Sequence, residues 1–196
     1  MAINNFHEQL RRIVLSGAIK EDTGAAFLEQ MTALEYIDHT KPITIYIDTY
    51  GGSVDAALLM YDCMRTSSCP INTVGIGKVM SAGVLLLSAG DKGYRFVSPN
   101  TRIMIHEISG GSMGTVSEME TSVAEIKRMQ DIYITLLAKH TGQTKAKVLK
   151  DMQGDNYMSA NQAIKYGIAD KVFPSRKMVP RKAPKQQDTK KTKSKG

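Results

Sequence analysis

A chain of 196 residues with 42% hydrophobic and 23% charged side chains is long enough to bury one α/β core and short for two domains. Its net charge of +7 is local: residues 174–196 hold nine Lys or Arg and one Asp, and the remainder carries 17 basic against 18 acidic side chains. A near-neutral folded portion argues against nucleic-acid binding, and 174–196 reads as a basic disordered tail. Cys63 and Cys69 have no second pair and no metal-like spacing with histidine, so a reduced, cytoplasmic protein is expected. Residues 1–12 have no secretory pattern. The weakly polar run 79–90 is shorter than the roughly 20 residues of a membrane-spanning helix, so no membrane partner is expected.

In chain order, a helical stripe comes first, with Phe27, Met31, Leu34 and Ile37 at steps of four, three and three. It predicts a helix over 22–38, with Asp22 or Thr23 as its N-cap. Ile43–Ile47 is the first of three short β-branched runs that read as buried strands, apolar on both faces; the others are Ile71–Ile76 and Arg102–Ile105. Between them, Ser53 opens a helix over 53–65, and 80–89 reads as a short, very apolar helix. A long helix is predicted from Thr115 to about Lys139, close to 37 Å at 1.5 Å per residue. Periodicity leaves open whether it projects onto another copy or lies within its own core. Helices near 143–152 and 160–167 follow, then a strand over 171–173. The alternation of strand and helix predicts an α/β fold with crossover connections.

Chemistry is expected beyond the carboxyl ends of parallel strands, where two glycine pairs fall, Gly51-Gly52 and Gly110-Gly111. Ser81, in GKVMSAG, lies at the start of the apolar helix, among free N–H groups and near the positive end of the dipole. Position alone reads it as a helix cap. His106 ends an apolar strand, and Asp155 sits in the polar loop GDNYMSA. Of the other histidines, His140 closes the long helix, where a charged imidazole would suit the dipole; His7 and His39 have weaker claims.

Taken together, RIVLSGAI (12–19), YIDTYGGSVDAALLMYD (46–62), the block 77–111, KHTGQ (139–143) and GDNYMSANQAIKYGIAD (154–170) resemble the proteolytic subunit of the Clp protease. The resemblance runs from about Arg11 to Phe173. It includes the intervals of 25 residues from Ser81 to His106 and 74 from Ser81 to Asp155. It implies a crotonase-like α/β fold with a long protruding handle helix, and three segments: a short N-terminal piece (1–10), a serine peptidase domain (11–173) and the tail (174–196). It further implies Ser81 as nucleophile, His106 as base and Asp155 as the group that orients the imidazole. Gly52 and Ala82 would donate N–H groups to an oxyanion, while Ser53, Val54, Ser109 and Gly110 would pair with an extended peptide substrate. Implied too are two stacked seven-membered rings, an ATP-driven unfoldase of the AAA+ class as partner, and no metal or cofactor.

The sequence also departs from the family. Only ten residues precede Arg11, and Thr44 and Thr66 stand where docking-pocket aromatics are usual, so gating and unfoldase coupling are expected to differ. Gly154 replaces an arginine that links rings, and Tyr50 and Ile108 replace prolines beside the glycine turns. Competing readings are an acyl-CoA enzyme of the same fold, a serine–lysine peptidase with Lys78 as base, a non-catalytic ring subunit, and a processing protease that works without an unfoldase.

Overall fold

A computed structural model describes residues 10–173; the tail expected over 174–196 and nearly all of the segment 1–10, with His7, lie outside the described residues. The first half contains β1 (Arg12–Ile19), α1 (Glu21–Ile37), β2 (Ile43–Gly52), α2 (Val54–Thr66), β3 (Ile71–Met80) and α3 (Ala82–Ser88). The second contains β4 (Arg95–Val97), β5 (Arg102–Ile105), α4 (Val116–Thr141), α5 (Lys145–Asp151), β6 (Asn156–Met158), α6 (Ala160–Tyr166) and β7 (Lys171–Val172). This is the mixed α/β architecture with a parallel-dominated sheet that the alternation of elements predicts.

The sheet runs β1-β2-β3-β4-β7, all neighbours parallel. β3 is longer than its apolar run suggests, extending to Met80, and it forks. Thr73–Gly75 pairs with β4, whereas Lys78–Met80 pairs with β5. The fork coincides with a bulge: Ile47 pairs with Gly75 and Thr49 with Val79, so Ile76, Gly77 and Lys78 together oppose the single residue Asp48. Gly77 has φ +66° there, a conformation glycine adopts without a Cβ clash. β6 then adds to β5 antiparallel.

One face of the sheet is closed by α1, α2 and α3, whose apolar stripes supply Phe27, Met31 and Leu34, then Ala57, Met60 and Tyr61, then every residue of α3. Fully burying each larger side chain contributes about 1.5–3 kcal/mol. Three expectations need correction here. Ile37, the last member of the first stripe, is exposed because α1 ends at that residue. β2 is not apolar on both faces either: Ile43, Ile45 and Ile47 are buried, while Thr44, Tyr46 and Asp48 are half-exposed on the opposite face. The cap of α1 is Lys20 rather than Asp22 or Thr23, which lie in its first turn; the Thr23 hydroxyl accepts the Lys20 N–H at 3.3 Å.

α4 starts with a capping box between Thr115 and Glu118 and stops at Gly142, φ +75°. Its buried side chains, among them Tyr133, Ile134 and Leu137, all lie in the last third, whereas Val116, Met119 and Val123 are exposed. No helix among the described residues is long and apolar enough to cross a membrane.

Candidate active site

The fork in β3 places the chemistry. β3 and β5 run side by side with Met80 opposite Met104, so Ser81 and His106 leave adjacent strands at nearly the same level. β6 returns antiparallel to β5, pairing Ile105 with Asn156. One further step along that ladder sets Asp155 across from His106. Three residues distant in sequence are thus gathered at one sheet end by strand register alone.

Ser81 has φ +52° and ψ −126°, a backbone state that costs a non-glycine residue roughly 1–3 kcal/mol. Three hydrogen bonds hold it: its N–H donates to Met104 O at 2.8 Å, and its carbonyl accepts from Val84 N–H at 2.9 Å and from the Tyr133 hydroxyl at 2.9 Å. Ser81 occupies the N-cap position of α3, yet its side chain makes no capping bond. The hydroxyl instead lies 2.8 Å from His106 Nε2. With the ring proton on Nδ1, Nε2 accepts from the hydroxyl. Nδ1 then faces Asp155 Oδ1 at 3.5 Å, long for a hydrogen bond and within ion-pair range. Asp155 is half-exposed, and its other oxygen receives the Tyr157 hydroxyl at 3.4 Å.

Gly51 and Gly52 end β2 directly under this turn. A Cβ on Gly51 would lie 2.7 Å from Ser81 Cβ and 3.2 Å from Ala82 N, and one on Gly52 would lie 2.1 Å from Ile19 O. With φ of +97° and +150°, both positions require glycine on conformational grounds as well. Ala82 is the first residue of α3, so its N–H has no acceptor within the helix. The cleft beside Ser81 is lined by Gly52, Val54, Ala82, His106, Ser109 and Tyr133, among others, and has a volume of about 40 Å³.

The remaining sequence candidates are placed differently. Ser53 does not continue a strand: it caps α2, accepting Ala56 N–H at 3.2 Å and donating to Glu21 Oε1 at 2.6 Å, and its own N–H is engaged by Ile19 O. Val54, at the start of α2, does reach the cleft. Gly110 is turned toward α4, where a Cβ would lie 2.9 Å from Ile126 Cδ1. The loop carrying Ile108 and Ser109 is tied to α4 through Gln130, whose Oε1 accepts Ile108 N–H at 3.2 Å. Lys78 donates from Nζ to Asp48 Oδ1 at 2.8 Å, so the amine proposed as an alternative base is engaged with a carboxylate.

His140 does not act as a cation at the end of α4. Burial, and then the neighbouring Arg65, Lys139 and Arg95, lower its pKa to about 4, and Nε2 lies 3.0 Å from the Tyr61 hydroxyl. Sequence reasoning missed Tyr133 as a site residue, because it reads as one more apolar position of α4. Its raised pKa follows from burial, which keeps the hydroxyl protonated as a donor to Ser81 O. Among the described residues no group of three or more His, Cys, Asp or Glu side chains is placed to hold a metal ion.

The family model for Clp protease matches residues 2–176, spanning every strand and helix that builds this cleft. The chain therefore belongs to the Clp protease family, which supports a serine peptidase role for it.

Proposed function

We propose that the chain is a serine endopeptidase subunit that hydrolyses peptide bonds of unfolded polypeptides through Ser81, His106 and Asp155. The 2.8 Å contact between the Ser81 hydroxyl and His106 Nε2 carries this reading. The hydroxyl oxygen attacks the scissile carbonyl carbon as its proton passes to Nε2. Asp155 holds the proton on Nδ1 and stabilises the imidazolium, and its 3.5 Å approach tightens when substrate closes the cleft. The N–H groups of Gly52 and Ala82 receive the tetrahedral oxyanion. Collapse breaks the C–N bond, His106 returns its proton to the departing amine, and water then releases the acyl group from Ser81 by the same steps in reverse.

An extended peptide would lie along Val54 and Ser109, which both line the cleft. Gly110 would frame it through its backbone, whereas both backbone polar groups of Ser53 are engaged, its N–H by Ile19 O and its carbonyl by Ala57 N–H. Assembly into stacked rings is part of the reading: Val116, Met119 and Val123 form an exposed apolar strip along α4 of the kind that a second copy would cover. A cytoplasmic location and an unfoldase partner complete the proposal, with a processing protease of the same chemistry as the alternative.

The purified full chain is expected to hydrolyse short fluorogenic peptides without ATP, and Ser81→Ala to abolish this while leaving the assembly's size unchanged. Full activity in Ser81→Ala would end the proposal.

A further inference from the structure

Three side chains outside the triad form a contiguous group between the strand that carries the glycine turn and the strand that carries Ser81. Asp48 is the residue of β2 that faces the β3 bulge. Its Oδ1 accepts the Lys78 N–H at 3.3 Å and the Lys78 ammonium at 2.8 Å, closing the bulge that turns the end of β3 toward β5. The same ammonium lies 4.7 Å from the centre of the Tyr50 ring, within cation–π range. Tyr50 immediately precedes Gly51 and is itself exposed. The next residues on each strand are Gly51-Gly52 on one side and Val79, Met80 and Ser81 on the other.

Glycines confer freedom as well as access, and two in succession with positive φ leave a turn that must be held from outside. Gly51 and Gly52 pair with Ala18 and Ile19 of β1, and the Gly51 N–H donates to the Thr49 hydroxyl at 2.9 Å; toward β3 the ladder ends before the turn, at Thr49 opposite Val79. The Asp48–Lys78–Tyr50 group supplies a cross-strand tie. We propose that Lys78 is a positioning residue: clasped by Asp48 and covered by Tyr50, it sets the Gly51-Gly52 turn at its working distance from Ser81. This rests on reading Gly52 as an oxyanion donor. Lys78 holds the Asp48 carboxyl below the usual carboxylate range through its hydrogen bond, consistent with a persistent ion pair. Because the tie acts on an N–H donor that matters in the transition state, its loss lowers kcat and leaves KM nearly unchanged.

The test compares the full chain with Lys78→Met, Lys78→Arg, Tyr50→Leu and the Lys78→Met/Tyr50→Leu pair on one short fluorogenic peptide. Lys78→Met and Tyr50→Leu are each expected to lower kcat about tenfold, a fraction of the loss from removing a donor outright, with KM within about twofold. The double variant is expected to be no worse than the weaker single one, because both break the same tie. Lys78→Arg, which keeps the charge and can stack on the ring, restores most of the rate. Unchanged kcat in the single variants, multiplying losses in the double variant, or a Lys78→Arg variant as impaired as Lys78→Met overturns the proposal; complete loss in both Lys78 variants would make Lys78 the base instead. Hydrogen exchange of the Gly51 amide, which is bonded to the Thr49 hydroxyl, separates this from the peptidase reading. Faster exchange by about tenfold in Lys78→Met, with β1 unaffected, supports the tie even in a chain that cleaves nothing, and unchanged exchange overturns it even in one that does.

Discussion

Ser81 is bonded at its N–H to Met104 and at its carbonyl to Val84 and Tyr133, and together these bonds keep a strained residue in place with its hydroxyl aimed at His106. Tyr133→Phe removes one of them and nothing else from the cleft. It is expected to lower kcat several-fold and to cost about 1 kcal/mol of stability, read from peptide hydrolysis and urea unfolding of the same preparation. Gly52→Ala is more severe: its Cβ would lie 2.1 Å from Ile19 O, so β1 and the turn must separate. Loss of at least a hundredfold in kcat is expected, because the proposed oxyanion donor moves with the turn; wild-type rates in that variant would remove Gly52 from the mechanism. At this scale Ser81, His106 and Asp155 were legible only as a set with its spacing. Singly, the serine read as a cap, and only the structure shows the hydroxyl making no cap bond. Lys78 and Tyr133 were not legible as positioning groups, because their partners, Asp48 and the Ser81 carbonyl, lie 30 and 52 residues away.

Among the elements, the forked strand decides the geometry. β3 serves β4 with its first half and β5 with its second, and β5 carries His106 to Ser81 and on to Asp155 across β6. The long elements were legible because their apolar period repeats, as in β2, α1 and α4. β4 and β6 were not: each has three residues, β4 begins with Arg95, and β6 is the polar NYM, so neither has a pattern of its own and each is a strand only because a neighbour pairs with it. β1, interrupted by Ser16 and Gly17, was recognisable as a family block without declaring itself a strand. Arg95 shows why β4 is nonetheless stable. Its guanidinium bonds both oxygens of Asp170, at 2.9 and 2.7 Å, and also the carbonyls of Ser88 and His140. Burial alone would raise the Asp170 pKa, but these bonds and the Arg95 charge lower it well below the usual range. Asp170→Ala leaves Arg95, 1% exposed, without its counter-charge. The expected loss is about 3–5 kcal/mol, measured by urea unfolding at neutral pH.

For the molecule as a whole, residues 10–173 are nearly neutral and the positive charge belongs to residues outside those described, so charge says little about the cleft. Acid sensitivity has a local source in His140. Its folded pKa of about 4 lies below the ordinary value of 6.5, so the unfolded chain takes up the proton first as pH falls. The stability it contributes is complete above pH 6.5 and is lost as the pH falls toward 4. For this half-buried group the loss is roughly 1 kcal/mol after allowance for solvent screening. His140→Asn should flatten the urea midpoint between pH 7 and 5 relative to the parent chain; an unchanged slope would show that another group controls it. The mixed fold was legible in the order of its elements, whereas the use of the apolar strip on α4 was not, since periodicity is the same for a strip facing its own core and one facing a second copy. The proposed peptide hydrolysis depends on the Ser81 hydroxyl acting as nucleophile. The most direct test is to treat the full chain with a fluorophosphonate and map the adduct by mass spectrometry. Modification at Ser81, slowed at least a hundredfold in His106→Ala, is the expected result; no adduct at Ser81, or equal labelling in the two proteins, would contradict the account.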